Sequence, residues 1–285
     1  MQVSFDFTDR DLIETVDAFV REVSAVREAT DKHKLWFRGH SKSEYKLVPT
    51  IGRLAWYGGL AKSFNLTTER ELLHRFRRRA FPSDGRVKQA GYALFLARHH
   101  GLPTRVLDWT ANVLYALYFA CMEHVDHDGN VWAFRQRGYA HVLDAFDLVD
   151  QDEAQLLSSK PSRVKIVHPV FNSARLIAQE GGFTLHSDPW RPLEDLVGVR
   201  FGKTSLDIEH LYRWLIPKRA KPTLLRELSG LGVSHRNVFP ELDGIARSLW
   251  ETEALWNPDR RRPNSGLQPT APRKRMRPPR LKPRR

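Results

Sequence analysis

With 285 residues, 41% hydrophobic and 11% aromatic, the chain can bury a substantial core, and its formal charge is +13. No apolar run approaches the roughly 18–20 residues of a membrane helix, and the acidic start MQVSFDFTDRDLIE is not a secretory leader, so a cytoplasmic address is expected. A single cysteine, Cys121, rules out an internal disulfide and any zinc site needing two cysteines from this chain.

The charge is unevenly placed. From Asn257 onward eleven Lys/Arg face only Asp259, a net +10, so residues 1–256 carry +3 of the total. That tail also holds seven prolines and no aromatic residue, which predicts a disordered Pro/Arg-rich segment over 257–285. Its basic residues offer salt-sensitive contact with nucleic acid, but it has no ring on which bases could stack.

Residues 1–256 alternate between helical and strand-like patterns. Thr8 and Asp11 suggest a helix start, and Leu12, Val16, Phe19, Val20, Val23 and Val26 recur at helical spacing to about Glu28. Lys34–Arg38 reads as a strand ending at Gly39, and Ser41–Pro49 as a polar loop. Helices follow over Thr67–Arg79, with a strongly basic face, and over Val87–His100, stopped by Gly101 and Pro103. Thr110 is placed to cap a fourth helix, Asn112–His124, containing the apolar run Val113–Met122. Strand patterns then appear at Asn130–Arg135, Arg163–Phe171, Phe183–His186, Val197–Phe201 and Tyr212–Ile216, and helical ones at Ser173–Gln179, Thr223–Leu231 and Glu241–Glu253. Helices early and strands interspersed later predict one α+β domain with a mixed sheet over 1–256.

Two segments concentrate chemistry. In Leu35–His40, an apolar run delivers Arg38 to a strand end, and its planar fork suits phosphate or carboxylate. Gly39 permits a turn or a close approach of ligand to backbone. In Arg98–Thr110, His99 and His100 occupy a helix end, and Arg105, Asp108, Trp109 and Thr110 follow within six residues. One reading is a structural corner closed by an Arg105–Asp108 pair. The other is the rim of a ligand pocket. The pairs His99–His100 and His124–His127 read as a helix end and a turn, and no metal site is expected from them.

The run Phe37-Arg38-Gly39, then His99-His100-Gly101-Leu102-Pro103-Thr104-Arg105-Val106-Leu107-Asp108-Trp109-Thr110, then Ala116-Leu117-Tyr118-Phe119-Ala120 resembles the FRG domain. Arg98 and His100 depart from that family's Gln and Tyr, while His99 keeps its histidine. Arg175 with Gln179-Glu180-Gly181-Gly182-Phe183-Thr184, and Phe239-Pro240-Glu241-Leu242-Asp243-Gly244, resemble two later family segments. A strand ending in aromatic-Arg-Gly also resembles the first catalytic strand of arginine-serine-glutamate ADP-ribosyltransferases. That resemblance implies a phosphate-bearing nucleotide, with NAD as the cofactor. Arg38, His99 and a glutamate, Glu180 or Glu241, would be the catalytic groups, and Phe37, Gly39, Arg105, Asp108, Trp109 and Thr184 would surround the ligand. Bacterial proteins of the FRG family resemble effectors of mobile and defence islands. The alternative is a non-catalytic module for nucleic acid or another anionic partner, with Arg70, Arg75, Arg77, Arg78 and Arg79 as its basic face and Glu69 and Glu71 partly offsetting it.

Overall fold

A computed structural model describes residues 7–30, 34–53, 66–136, 143–144, 164–168, 174–197 and 208–256. The tail over 257–285 and all but Val197 of the strand expected at Val197–Phe201 lie outside the described residues; Val197 itself is in a turn. Eight strands among them form one mixed sheet: β1 (Phe7–Leu12), β2 (Leu35–His40), β3 (Val106–Thr110), β4 (Gly129–Gln136), β5 (Leu143–Asp144), β6 (Val164–His168), β7 (Gly181–His186) and β8 (Ile208–Ile216). Their order is β1-β8-β4-β2-β3-β7-β6-β5, parallel at the β1–β8 and β6–β5 edges and antiparallel between. The helices are α1 (Val16–Ala29), α2 (Leu66–Ala80), α3 (Ala90–His99), α4 (Val113–Cys121), α5 (Ala174–Ala178), α6 (Lys221–Gly230), α7 (His235–Val238) and α8 (Leu242–Trp256). None is long and apolar enough to cross a membrane. The expected α+β class is observed.

Alternation along the strands sorts the core into two faces. Leu35, Phe37, Val131, Ala133 and Trp214 point to one face, where α1, α4 and α6 cover β2, β4 and β8. Val106, Phe183, Leu185 and Val167 share that face further along the sheet, beneath α2 and α3. The opposite face carries Trp36, Leu107, Trp109, Trp132 and Phe134, closed by Leu47, Leu193, Leu196 and Val197. The helical face therefore bears two separate packed groups, with a seam above the β2–β3 boundary.

Several local expectations are corrected. Thr8 and Asp11 belong to β1, and Thr15 caps α1 by accepting from the Ala18 amide at 3.2 Å. Glu227 of α6 also accepts from the Val16 amide at 2.7 Å, which favours the positive helix start. Thr110 ends β3; Asn112 caps α4 instead, its Oδ1 accepting from Leu114 and Tyr115 at 3.1 and 3.2 Å. The helix expected from Val87 is broken at Gln89 into a 3-10 turn, Gly85–Lys88, and α3.

Gly39 is where α4 seats on the sheet. A Cβ there would lie 2.0 Å from the Ala116 carbonyl oxygen and 2.6 Å from the Ala120 nitrogen, so any side chain would lift the helix. The end of α4 is held by Lys221, whose buried Nζ donates to the carbonyls of Ser41, His124 and Glu123 at 2.7, 3.0 and 3.3 Å.

Candidate functional site

β2 and β3 pair at one position only, Phe37 with Thr110, and the gap beyond that rung opens into the seam between the helical groups. A cavity of about 320 Å³ occupies it. Its floor is the helical face of the strands: Phe37, Gly39, Asp108, Thr110, Gly181 and Phe183. Its walls come from α3 through Phe95, Arg98 and His99, from α4 through Phe119, and from α5 through Arg175, Leu176 and Gln179. Phe95 stacks on Phe183 at 4.9 Å between centroids, and Thr110 Oγ1 donates to the Gln179 carbonyl at 2.5 Å, tying β3 to the end of α5.

Arg38 belongs by alternation to the opposite face, yet it lines the cavity because its guanidinium fills the gap between the strands. Its Nη1 donates to the Asp108 carbonyl at 2.5 Å, its Nε donates to His40 Nε2 at 3.0 Å, and the Asp108 carboxylate lies 3.6 Å away. Arg98 pairs with the same carboxylate, while its Nε is buried without a hydrogen-bond partner. Arg175 completes the cationic set, with its guanidinium 4.5 Å from the centroid of Phe239.

Charge at this cavity is unbalanced. Among the lining residues Arg38, Arg98 and Arg175 face the single carboxylate of Asp108. Burial, then Arg53 and Arg98, pushes Arg38 down to about 9 against the pull of Asp108; it stays charged at neutral pH. Burial and the neighbouring arginine Arg98 also lower Arg175, against Asp108 and Glu241. Burial acts to raise Asp108, but Arg98 and Arg38 outweigh it and hold the carboxyl below its usual range. His99 is lowered by burial, Arg175 and His100, which favours the neutral imidazole. A bound anion would therefore relieve a cationic excess already built into the walls.

The residues expected to act together are distributed over five places. Phe37, Arg38, Gly39, His99, Asp108 and Trp109 line the cavity. Glu241 acts electrostatically on His99 and Arg175 from the start of α8. Glu180 turns the chain into β7 with φ +45° and accepts from Asn112 Nδ2 at 3.3 Å, outside the lining. Thr184 is fully buried on the opposite face, where its Oγ1 accepts from Trp109 Nε1 at 3.0 Å and lies 2.9 Å from His186 Nε2.

The Arg105–Asp108 pair suggested by spacing does not form. Arg105 stands in the bend before β3, and its side chain goes to Glu69 of α2 instead. Its Nε donates to Glu69 Oε2 at 2.6 Å and its amide to Oε1 at 2.8 Å, with both side chains essentially inaccessible to water.

Arg98, Arg175, Gln179, Phe95, Phe119 and Phe183 also line the cavity but were not singled out as site residues from the sequence. Arg98 stands where the resemblance had marked a departure, immediately before His99. Arg175 and Gln179 stand in a segment that resembles the family, and that resemblance is the signal the sequence carries for them. The aromatic walls read as ordinary core from periodicity alone. Among the described residues no group of three or more His, Cys, Asp or Glu could hold a metal.

Fold and site together define an α+β domain with a cationic, aromatic-walled cavity at a seam in its helical layer. The family model of the FRG domain matches residues 33–129, so an FRG domain is present in the chain. That span supplies β2, α2, α3, β3 and α4, including Phe37–Gly39, Arg98, His99 and Asp108–Thr110, whereas Arg175, Gln179 and Phe183 lie beyond it. No curated protein and no solved structure matches the chain.

Proposed function

We propose that the cavity binds a phosphate-bearing nucleotide, NAD among them, and that the domain carries out ADP-ribosyltransferase-like chemistry. The observation that supports this reading is the meeting of Arg38, Arg98 and Arg175 around one carboxylate, with Arg98 Nε buried and unbonded. Guanidinium forks match phosphate oxygens in geometry and charge. The stacked Phe95–Phe183 pair supplies a flat apolar wall for a base. At about 320 Å³ the cavity is at the small end of ligand clefts, so it takes the ADP portion and leaves the nicotinamide end at the mouth.

In the transfer step the bond from ribose to nicotinamide breaks, nicotinamide leaves, and the ribose carbon bonds to an acceptor nucleophile that gives up its proton. Of the two glutamates, Glu241 is the better base, because it acts on His99 and Arg175 while Glu180 bonds Asn112 outside the cavity. Neutral His99 accepts a hydrogen bond from a ribose hydroxyl.

Calorimetry with adenosine, AMP, ADP-ribose and NAD tests the binding. The phosphate-bearing ligands bind and adenosine does not; Arg98→Ala weakens ADP-ribose by about 10–100-fold, the worth of a hydrogen bond to a charged group. Adenosine binding as tightly as AMP would remove the basis of the reading. Incubation of labelled NAD with cell extract tests the chemistry: label is transferred by the protein and lost in Glu241→Gln, which still binds ADP-ribose.

A further inference from the structure

The basic helix α2 contributes no lining residue to the cavity, and the structure changes its charge balance. Glu69, which in the sequence offsets the arginines, is turned inward and committed to Arg105. On the outer side Arg70, Arg75, Arg78 and Arg79 are exposed, and among the described residues none of them forms an ion pair; Glu71 is the one exposed acid of the helix. Arg70, His74 and Arg78 follow at four-residue steps, about 6 Å apart along the axis, and so form one stripe.

That stripe runs into an exposed aromatic ring. Phe81, 45% accessible, follows the last turn of α2. Arg77 folds the 85–88 turn back against the helix by donating to the carbonyls of Val87, at 2.9 Å, and Lys88. The fold-back places the exposed Lys88 with its Nζ 5.1 Å from the Phe81 ring centroid. Arg86 on the same turn is paired with Asp84 and adds no free charge. Phe81 is the one large apolar side chain exposed among the described side chains of residues 67–88, so this stretch has a single ring to insert into a bilayer.

We propose that this face binds single-stranded nucleic acid, with Arg70, Arg75, Arg78, Arg79 and Lys88 on successive phosphates and Phe81 as the platform for one base. Cations along a track plus an exposed ring are the two elements that single-strand binders combine, and both are shared by RNA and DNA. Duplex offers the phosphates but no free base face. The surface is independent of the nucleotide cavity, and its failure would leave that reading untouched.

The test uses the full chain and fluorescent 20-residue oligonucleotides: single-stranded RNA, single-stranded DNA and the DNA duplex, titrated from low to moderate salt. The variant Arg70→Ala/Arg75→Ala/Arg78→Ala weakens single-strand binding by tenfold or more and lowers the slope of log affinity against log salt by about two. The 257–285 tail is present in both proteins, so the difference isolates α2. Replacing the same three arginines by lysine retains binding, since phosphate contact needs the charge. Phe81→Ala weakens both single strands by about tenfold and leaves the duplex nearly unchanged. Parent-like affinity and slope in the alanine variant would overturn the proposal. So would equal losses in the lysine and alanine variants, or equal losses of single strand and duplex in Phe81→Ala.

Discussion

Arg105 and Arg98 come from one short stretch of sequence and end in opposite electrostatic situations. Arg105 is buried against Glu69, one cation to one carboxylate, with the amide of the same residue giving that carboxylate another donor. Arg98 shares Asp108 with Arg38, keeps Nε unbonded, and stands beside a cavity that Arg175 also enters. The first arrangement pairs one cation with one anion and joins α2 to the start of β3. The second holds more positive charge than its own residues neutralise. What separates a structural arginine from a ligand-seeking one is the local balance of charge, more than burial or motif membership.

The largest way to break this contrast is at the corner. Glu69→Gln leaves Arg105 buried without a counter-charge and should destabilise the fold by about 3–5 kcal/mol in urea denaturation. Nucleotide affinity of the protein that remains folded should be unchanged, because Glu69 lies outside the cavity.

At the cavity the opposite sign is expected. Asp108→Asn removes the one lining carboxylate, so inorganic phosphate should bind several-fold tighter in calorimetry, with a modest loss of thermal stability. Weaker phosphate binding in this variant would instead mean that Asp108 organises the arginines rather than competing with the anion.

A pH-dependent effect concerns the polar layer beneath the cavity. Burial, then the charge of Arg38, lowers His186 from an ordinary 6.5 to about 3, so the folded state keeps it neutral where the unfolded chain takes up a proton. Its contribution to stability is complete above pH 6.5 and is lost progressively as pH falls towards 3. Urea midpoints measured at pH 7, 5.5 and 4.5 should fall less steeply in His186→Asn than in the parent.

Much of the fold is written plainly in the chain. β4, β8 and α4 are apolar runs or periodic stripes whose pattern matches the face they bury. β1 escaped because FTDRDL is a polar edge strand, paired on one side to β8. β3 escaped because Asp108 and Thr110 look like a corner pair and a helix cap, although in the structure they alternate with the buried Leu107 and Trp109. The cavity was legible as two short segments that share chemistry. It was not legible as a place, because its far wall, Arg175 to Phe183, arrives from about seventy residues later and reaches β3 through sheet pairing and the Thr110–Gln179 bond. The direction of Arg38 through the gap between strands depends on a single missing stretch of pairing, which no local pattern encodes.

The seating of α4 on Gly39 has a consequence for how selectively the domain can bind. Because the helix backbone rests directly on the strand, Phe119 on one wall and Phe37 on the floor are parts of a single rigid body. Along this wall the cavity is a mould set by folding, not a jaw that shuts on its contents. A ligand that matches its outline meets little ordering cost on entry, and one that exceeds it has no hinge in this wall to push aside.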